Sequence, residues 1–159
     1  TGEASGMPVK AGVALADVIT GKDAAIAILA ALAGARRSAA TDRHLFVSLQ
    51  HSAVSSLVNV AQNALLRGKE ALRWGNAHAN LVPYELFRAS DREMVVAVGS
   101  DDQFAALVRA LALETLAERR FATNAGRLEH RGEVVSAIAA RVAVSKPSHS
   151  ARPGSLTWT

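Results

Sequence analysis

One carboxylate is set apart by its surroundings. Asp17 lies in Gly12-Val13-Ala14-Leu15-Ala16-Asp17-Val18-Ile19-Thr20-Gly21, a run of small and apolar residues that leads through Lys22-Asp23 into an Ala/Leu/Ile stretch. A charge among apolar neighbours is costly unless something uses or compensates it. Two uses are open. An Asp at the start of a helix caps free N–H groups and sits where the helix dipole favours negative charge. Alternatively, a carboxylate with room around it attacks an activated carbonyl as a nucleophile, a task that needs it desolvated and well placed. Gly12, Ala14, Ala16 and Gly21 leave that room.

The remaining residue types narrow the chemistry. There is no cysteine, so neither a disulfide framework nor a thiolate is available, which agrees with a cytoplasmic protein. The histidines at 44, 51, 78, 130 and 149 lack the spacing of metal ligands on one helix face, and no metal site is expected. No phosphate-cradling glycine motif is present. The net charge of +4 comes from 18 Lys and Arg against 14 Asp and Glu, scattered except for Arg36-Arg37 and Arg119-Arg120. Nucleic-acid binding would want a clustered basic stripe, so that partner is not expected. The most apolar run, residues 24–35, falls well short of the roughly 20 residues a membrane span needs. No signal peptide is legible in residues 1–10.

Periodicity supplies the elements that must hold these side chains. The 159 residues are 50% hydrophobic but only 4% aromatic, which predicts one domain's worth of core built from Ala, Val, Leu and Ile rather than from large rings. Residues 1–10 read as a loop. A helical pattern begins near Ala11, with Ile26, Leu29 and Leu32-Ala33 recurring at three- and four-residue spacing. The all-round apolar character of residues 24–35 predicts a helix buried on most sides, ended by Gly34 and the polar run 36–43. His44-Leu45-Phe46-Val47-Ser48-Leu49 has the content of a short strand. Residues 52–66 then read as one helix, with Val54, Leu57, Val58 and Ala61 on one face and Arg67-Gly68 closing it.

Residues 69–83 form a long polar loop with Gly75, Asn76, His78 and Asn80. Loops of that length carry function or mobility, although turn chemistry alone also accounts for Asn76 and His78. Residues 84–88 and 94–98 read as a β-hairpin around a polar turn. Ser100-Asp101-Asp102 reads as a helix start, with Phe104, Leu107, Val108 and Leu111 as the apolar face. Thr123-Asn124 opens a last helix to about Val144, burying Val134-Val135, Ile138 and Val142. Residues 145–159 (SKPSHSARPGSLTWT) have the composition of a disordered tail.

Several of these pieces together resemble the class III CoA-transferases, a family that includes formyl-CoA and carnitine CoA-transferases, with alpha-methylacyl-CoA racemase as a relative. They are the Asp17 segment and its helix, Val47-Ser48-Leu49 opening a second helix, Arg73-Trp74-Gly75-Asn76-Ala77-His78, Val82-Pro83-Tyr84-Glu85-Leu86-Phe87, the run from Val95 to Phe104, and Arg120 to Arg127. The resemblance covers about residues 6 to 143 and marks the chain as an internal piece of a longer protein. It implies an α/β protein. Residues 1–68 would be part of a large nucleotide-fold domain carrying the nucleophile, and residues 69–144 a small α+β domain. Residues 145–159 lack the resemblance. His51 stands where the family usually has an acidic residue.

The resemblance further implies that Asp17 is the nucleophile. Its carboxylate would form a mixed anhydride with an acyl-CoA and then an aspartyl-CoA thioester, with an acyl-CoA and a small carboxylic acid as substrates and no cofactor beyond CoA itself. The loop bearing Gly75, Asn76 and His78 would meet the substrate, with Gly75 the only glycine of the family's mobile segment. The family forms interlocked homodimers. Two other readings remain. In the racemase the equivalent aspartate is an acid/base partner of a histidine, and Asp101-Asp102 falls where racemases carry a glutamate, a position that helix capping also explains. A non-catalytic truncated remnant is the third.

Overall fold

Ala-rich sequence with Leu and Ile at every turn favours helix, and Leu15–Gly34 forms one, α1. The computed structural model describes residues 2–34, 44–68 and 70–144, in two units divided between Gly75 and Asn76. In the first unit, α1 lies against α2 (Leu49–Ser56), followed by α3 (Asn59–Arg67). Ser52, the buried residue of α2, donates its hydroxyl hydrogen to the Asp23 carboxylate of α1. Arg73 ties the start of the unit to its end, donating to the carbonyls of Glu3 and Gly6 at 3.2 and 2.6 Å.

Three expectations for this unit are corrected. First, α1 is not buried on most sides: it has no buried residue, and Ile26 and Leu29 are each 65% exposed. Apolar character alone does not bury a helix whose main described neighbour is one short helix. Second, residues 44–48 form no strand. Ser48 is extended because it is the cap of α2, its hydroxyl accepting from the His51 N–H, and among the described residues no strand pairs with it. Third, the single helix expected over 52–66 is two, parted where Val58 takes φ 45°. That backbone suits a β-branched residue poorly and no helix passes through it. Gly68, at φ 59°, closes α3 in the left-handed conformation expected of it. The ending assigned to residues 36–43 and the tail assigned to 145–159 lie outside the described residues.

The second unit holds the core. Strands β1 (Tyr84–Arg88) and β2 (Glu93–Ala97) pair antiparallel, with Tyr84 opposite Ala97 and Arg88 opposite Glu93. Glu85, Phe87, Met94 and Val96 share the hairpin face that bears the buried Phe87 and Val96. Helix α4 (Asp101–Ala110) starts at Ser100, whose hydroxyl accepts from the Gln103 N–H, and buries Phe104, Leu107 and Val108, with Leu111 just beyond it. Two 3-10 turns, Glu114–Ala117 and Arg119–Phe121, lead to α5 (Asn124–Glu129) and α6 (Arg131–Ala143). The last helix is thus interrupted at His130, where the backbone leaves helical geometry. Val134, Ile138 and Val142 of α6 are fully buried as expected. The core does use rings, because Phe87, Phe104 and Phe121, three of the four phenylalanines, are collected in this one unit.

Close approach at Gly126 makes one residue irreplaceable. A Cβ at this position would overlap the Arg120 carbonyl oxygen, a backbone atom that cannot swing aside. Gly126→Ala is expected to cost about 2 kcal/mol or more, by the same overpacking that penalises extra methylenes in a core. Thermal melting followed by circular dichroism checks it, with Gly132→Ala as control, since a Cβ there meets open space.

Candidate active site

Helix α1 carries two acidic residues with different employment. Asp23 is half-buried and engaged by Ser52. Asp17, the third residue of the helix, is exposed and its side chain makes no hydrogen bond or ion pair among the described residues. It is not the cap residue, since the first helical bond there runs from the Val18 N–H to the Ala14 carbonyl, 3.1 Å. The capping role weighed for Asp17 is therefore reduced to its placement in the first turn, where the dipole favours negative charge. Cβ atoms added at Gly12 or Gly21 would meet nothing within 4 Å, so the space beside the carboxylate is open. The described residues of the first unit do not supply the desolvation that a carboxylate nucleophile needs.

Gly75 ends the first unit with φ 56°, a left-handed turn that glycine alone adopts freely. Asn76 and His78 begin the second unit. Asn76 is exposed. His78 is half-buried and held on several sides. Its N–H donates to the Tyr84 carbonyl at 2.8 Å, and its ring stacks on Tyr84 with centroids 5.3 Å apart. Its Nδ1 accepts from the Asn80 N–H at 3.0 Å, which places the imidazole proton of the neutral ring on Nε2.

The sequence reading missed the residues that fix this loop. Arg131 donates from one guanidinium nitrogen to the carbonyls of His78 and Ala79, at 2.9 and 3.1 Å, while another lies 3.9 Å from the Glu85 carboxylate. Burial pushes the Glu85 carboxyl above its usual range, partly offset by the Arg131 charge; burial likewise lowers Arg131, with Glu85 opposing. Asn124 accepts from the Val82 N–H at 3.1 Å and donates to the Asn80 carbonyl at 2.8 Å. In the sequence, the 124, 127, 131 spacing on an expected single helix was the available signal, although the helix breaks at His130 between the last two. Asp101, the other candidate acid, is engaged by Arg127 at 2.8 Å, leaving it a structural partner.

Among the described residues no group of three His, Cys, Asp or Glu side chains could hold a metal, and no helix is long and apolar enough to cross a membrane. An apolar concavity of about 470 Å³ lies along β2 and α4, lined by Val96, Val98, Gln103, Ala106, Leu107 and Ala110 among others.

Known proteins can be set beside this geometry. Residues 1–151 match the family model described as CoA-transferase family III. A succinate–glutarate CoA-transferase of Agrobacterium fabrum is 42% identical over 135 residues, 84% of this chain and 34% of the relative. A succinyl-CoA:glutarate CoA-transferase of Mus musculus is 40% identical over 146 residues, 90% of this chain and 33% of the relative. Among solved structures, a CAIB/BAIF family protein from Brucella suis is similar with a TM-score of 0.60 at 37% identity, covering 92% of this chain and 39% of that one. The chain spans about a third of the length of these curated relatives.

Proposed function

The chain belongs to CoA-transferase family III, and on that premise we propose that it is the nucleophile-bearing part of an enzyme moving CoA between an acyl-CoA and a carboxylic acid. Asp17 carries the reaction. Its carboxylate attacks the thioester carbonyl, forming a mixed anhydride and releasing CoA thiolate. The thiolate attacks the Asp17 carbonyl, the anhydride C–O bond breaks, and the first acid leaves as its carboxylate. The incoming carboxylate then attacks the aspartyl-CoA thioester, expelling thiolate and forming a second anhydride. Attack of thiolate on the new acyl carbonyl gives the new acyl-CoA and restores Asp17. Protons and electrons balance without a cofactor.

The observation that carries this reading is the contrast on α1: Asp23 has a partner in the fold, whereas Asp17 has none among the described residues and has open space beside it. The names of the relatives support transfer over α-proton exchange, and they nominate succinyl-CoA as donor and glutarate as acceptor. In this reading the complete protein supplies the nucleotide-fold sheet and the second copy of an interlocked homodimer, which together exclude water from Asp17. Its compartment is the cytoplasm. The test is trapping: the complete protein is incubated with succinyl-CoA and hydroxylamine, then digested for mass spectrometry. A hydroxamate on Asp17 that depends on succinyl-CoA is expected; its absence at full acyl-CoA occupancy rejects the covalent route.

A further inference from the structure

Helix α2 gives way to α3 at a turn that its own residue does not favour. The Val60 N–H donates to the Leu57 carbonyl at 3.0 Å and closes a four-residue turn, in which Val58 takes the second position with φ 45° and ψ −115°. Those angles are the ones a type II′ turn requires at that position, where glycine is the usual residue. A β-branched valine is among the residues least suited to them. Little packing holds the bend in place. No residue of α3 is buried, and α3 packs closely against no described element, whereas α2 packs on α1.

The sequence at the same place is written for one helix. Val54, Val58, Ala61 and Leu65 follow one another at steps of four, three and four residues, which is one face of a continuous helix. In the structure these four line a hollow of about 420 Å³ between the two arms, together with Ser55, Asn59 and Gln62. On a straight helix the same side chains would stand in a row and enclose nothing. Apolar pattern and turn thus favour different backbones, and they conflict at Val58. We propose that Val58 is a two-position joint, at which α2 and α3 exchange between the bent arrangement and a single helix over residues 49–67. Straightening relieves the Val58 backbone and aligns the apolar row; bending opens the hollow. Because α2 stays on α1, α3 moves while the helix that bears Asp17 keeps its place. The joint belongs to the first unit alone and does not depend on the transferase reading.

The test measures one distance. The 159-residue chain has no cysteine, so His51→Cys and Leu66→Cys place two nitroxide labels at exposed sites on α2 and α3. In a straight helix these sites lie about 22 Å apart along the axis, at a rise of about 1.5 Å per residue, and the bend shortens that separation. Pulsed dipolar electron resonance on the labelled chain is expected to show both distances. Val58→Gly suits the turn and shifts the population to the short distance; Val58→Ala suits the helix and shifts it to the long one. The ratio of the two populations is expected to differ about tenfold or more between these variants. Residue 58 is 71% exposed, so neither substitution disturbs a core. The short distance alone in both the Val58 and the Val58→Ala chains overturns the proposal, as does the long distance alone in both the Val58 and the Val58→Gly chains. A broad spread that neither substitution moves overturns it too, since that is the mark of an α3 that frays rather than pivots.

Discussion

Replacing Asp17 by Asn removes CoA transfer and leaves the fold as it was. The amide nitrogen takes the place of one carboxylate oxygen and cannot open a thioester, so kcat/KM is expected to fall by more than about 10⁴-fold, as when a covalent nucleophile is deleted. Nothing in the fold should register the change. Asp17 is exposed and bonded to no described residue, and exposed substitutions of this kind stay within about 0.5 kcal/mol. The measurement pairs initial rates of succinyl-CoA-dependent transfer with amide hydrogen exchange along α1, which reads the helix that carries the residue. Transfer retained above background in the Asn variant would sink the assignment of the nucleophile. Asp23→Asn provides the contrast: it weakens the contact with Ser52 that joins α1 to α2 and loses stability without losing the nucleophile.

Replacing Arg127 by Met is expected to show the opposite split, a large loss of stability. The Arg127 side chain is 1% exposed and donates to the Val82 carbonyl at 2.7 Å, to the Phe121 carbonyl at 2.9 Å and to Asp101 at 2.8 Å. Its guanidinium also lies over the Phe104 ring, 4.3 Å from the centroid. Methionine fills the volume but returns none of the donors, leaving two buried carbonyls without partners at about 1–3 kcal/mol each. The total, about 3–5 kcal/mol, is a large share of the 5–15 kcal/mol that an ordinary domain possesses. Lysine is no substitute, because a single ammonium cannot span three acceptors set out for a planar fork. Urea unfolding followed by circular dichroism reads the loss directly; a change under 1 kcal/mol would mean that the carbonyls find water instead.

The contrast between these two residues explains what the sequence disclosed. Local features were legible. Ser100-Asp101-Asp102 announces a helix because the cap and the dipole act within one turn, and the hairpin follows from two alternating runs around a polar turn. Long-range partnership was not. Arg127 stood in the Arg120 to Arg127 segment, yet its partners at 82 and 101 are distant in the chain, and nothing nearby says that a cation is buried. Arg131 and Glu85 escaped for the same reason. The exposure of Ile26 and Leu29 was misjudged because hydrophobicity reports what a residue favours, whereas burial also requires a neighbour to supply it. The stretch at 44–49 misled by composition, since β-branched and aromatic residues fit an extended cap as well as a strand. For Asp17 the letters indicated the position, and the structure added that no described side chain competes for it.

Every buried apolar residue among those described lies beyond Gly75, while α1 to α3 bury only the hydroxyl-bearing Ser52. The latent heat of this chain therefore belongs to one part of it. On warming, the three leading helices would loosen gradually, with little surface to dehydrate and no sharp transition of their own, and the calorimetric peak would come from the hairpin and the helices behind it. A single melting temperature assigned to these 159 residues would describe the half that does not carry Asp17.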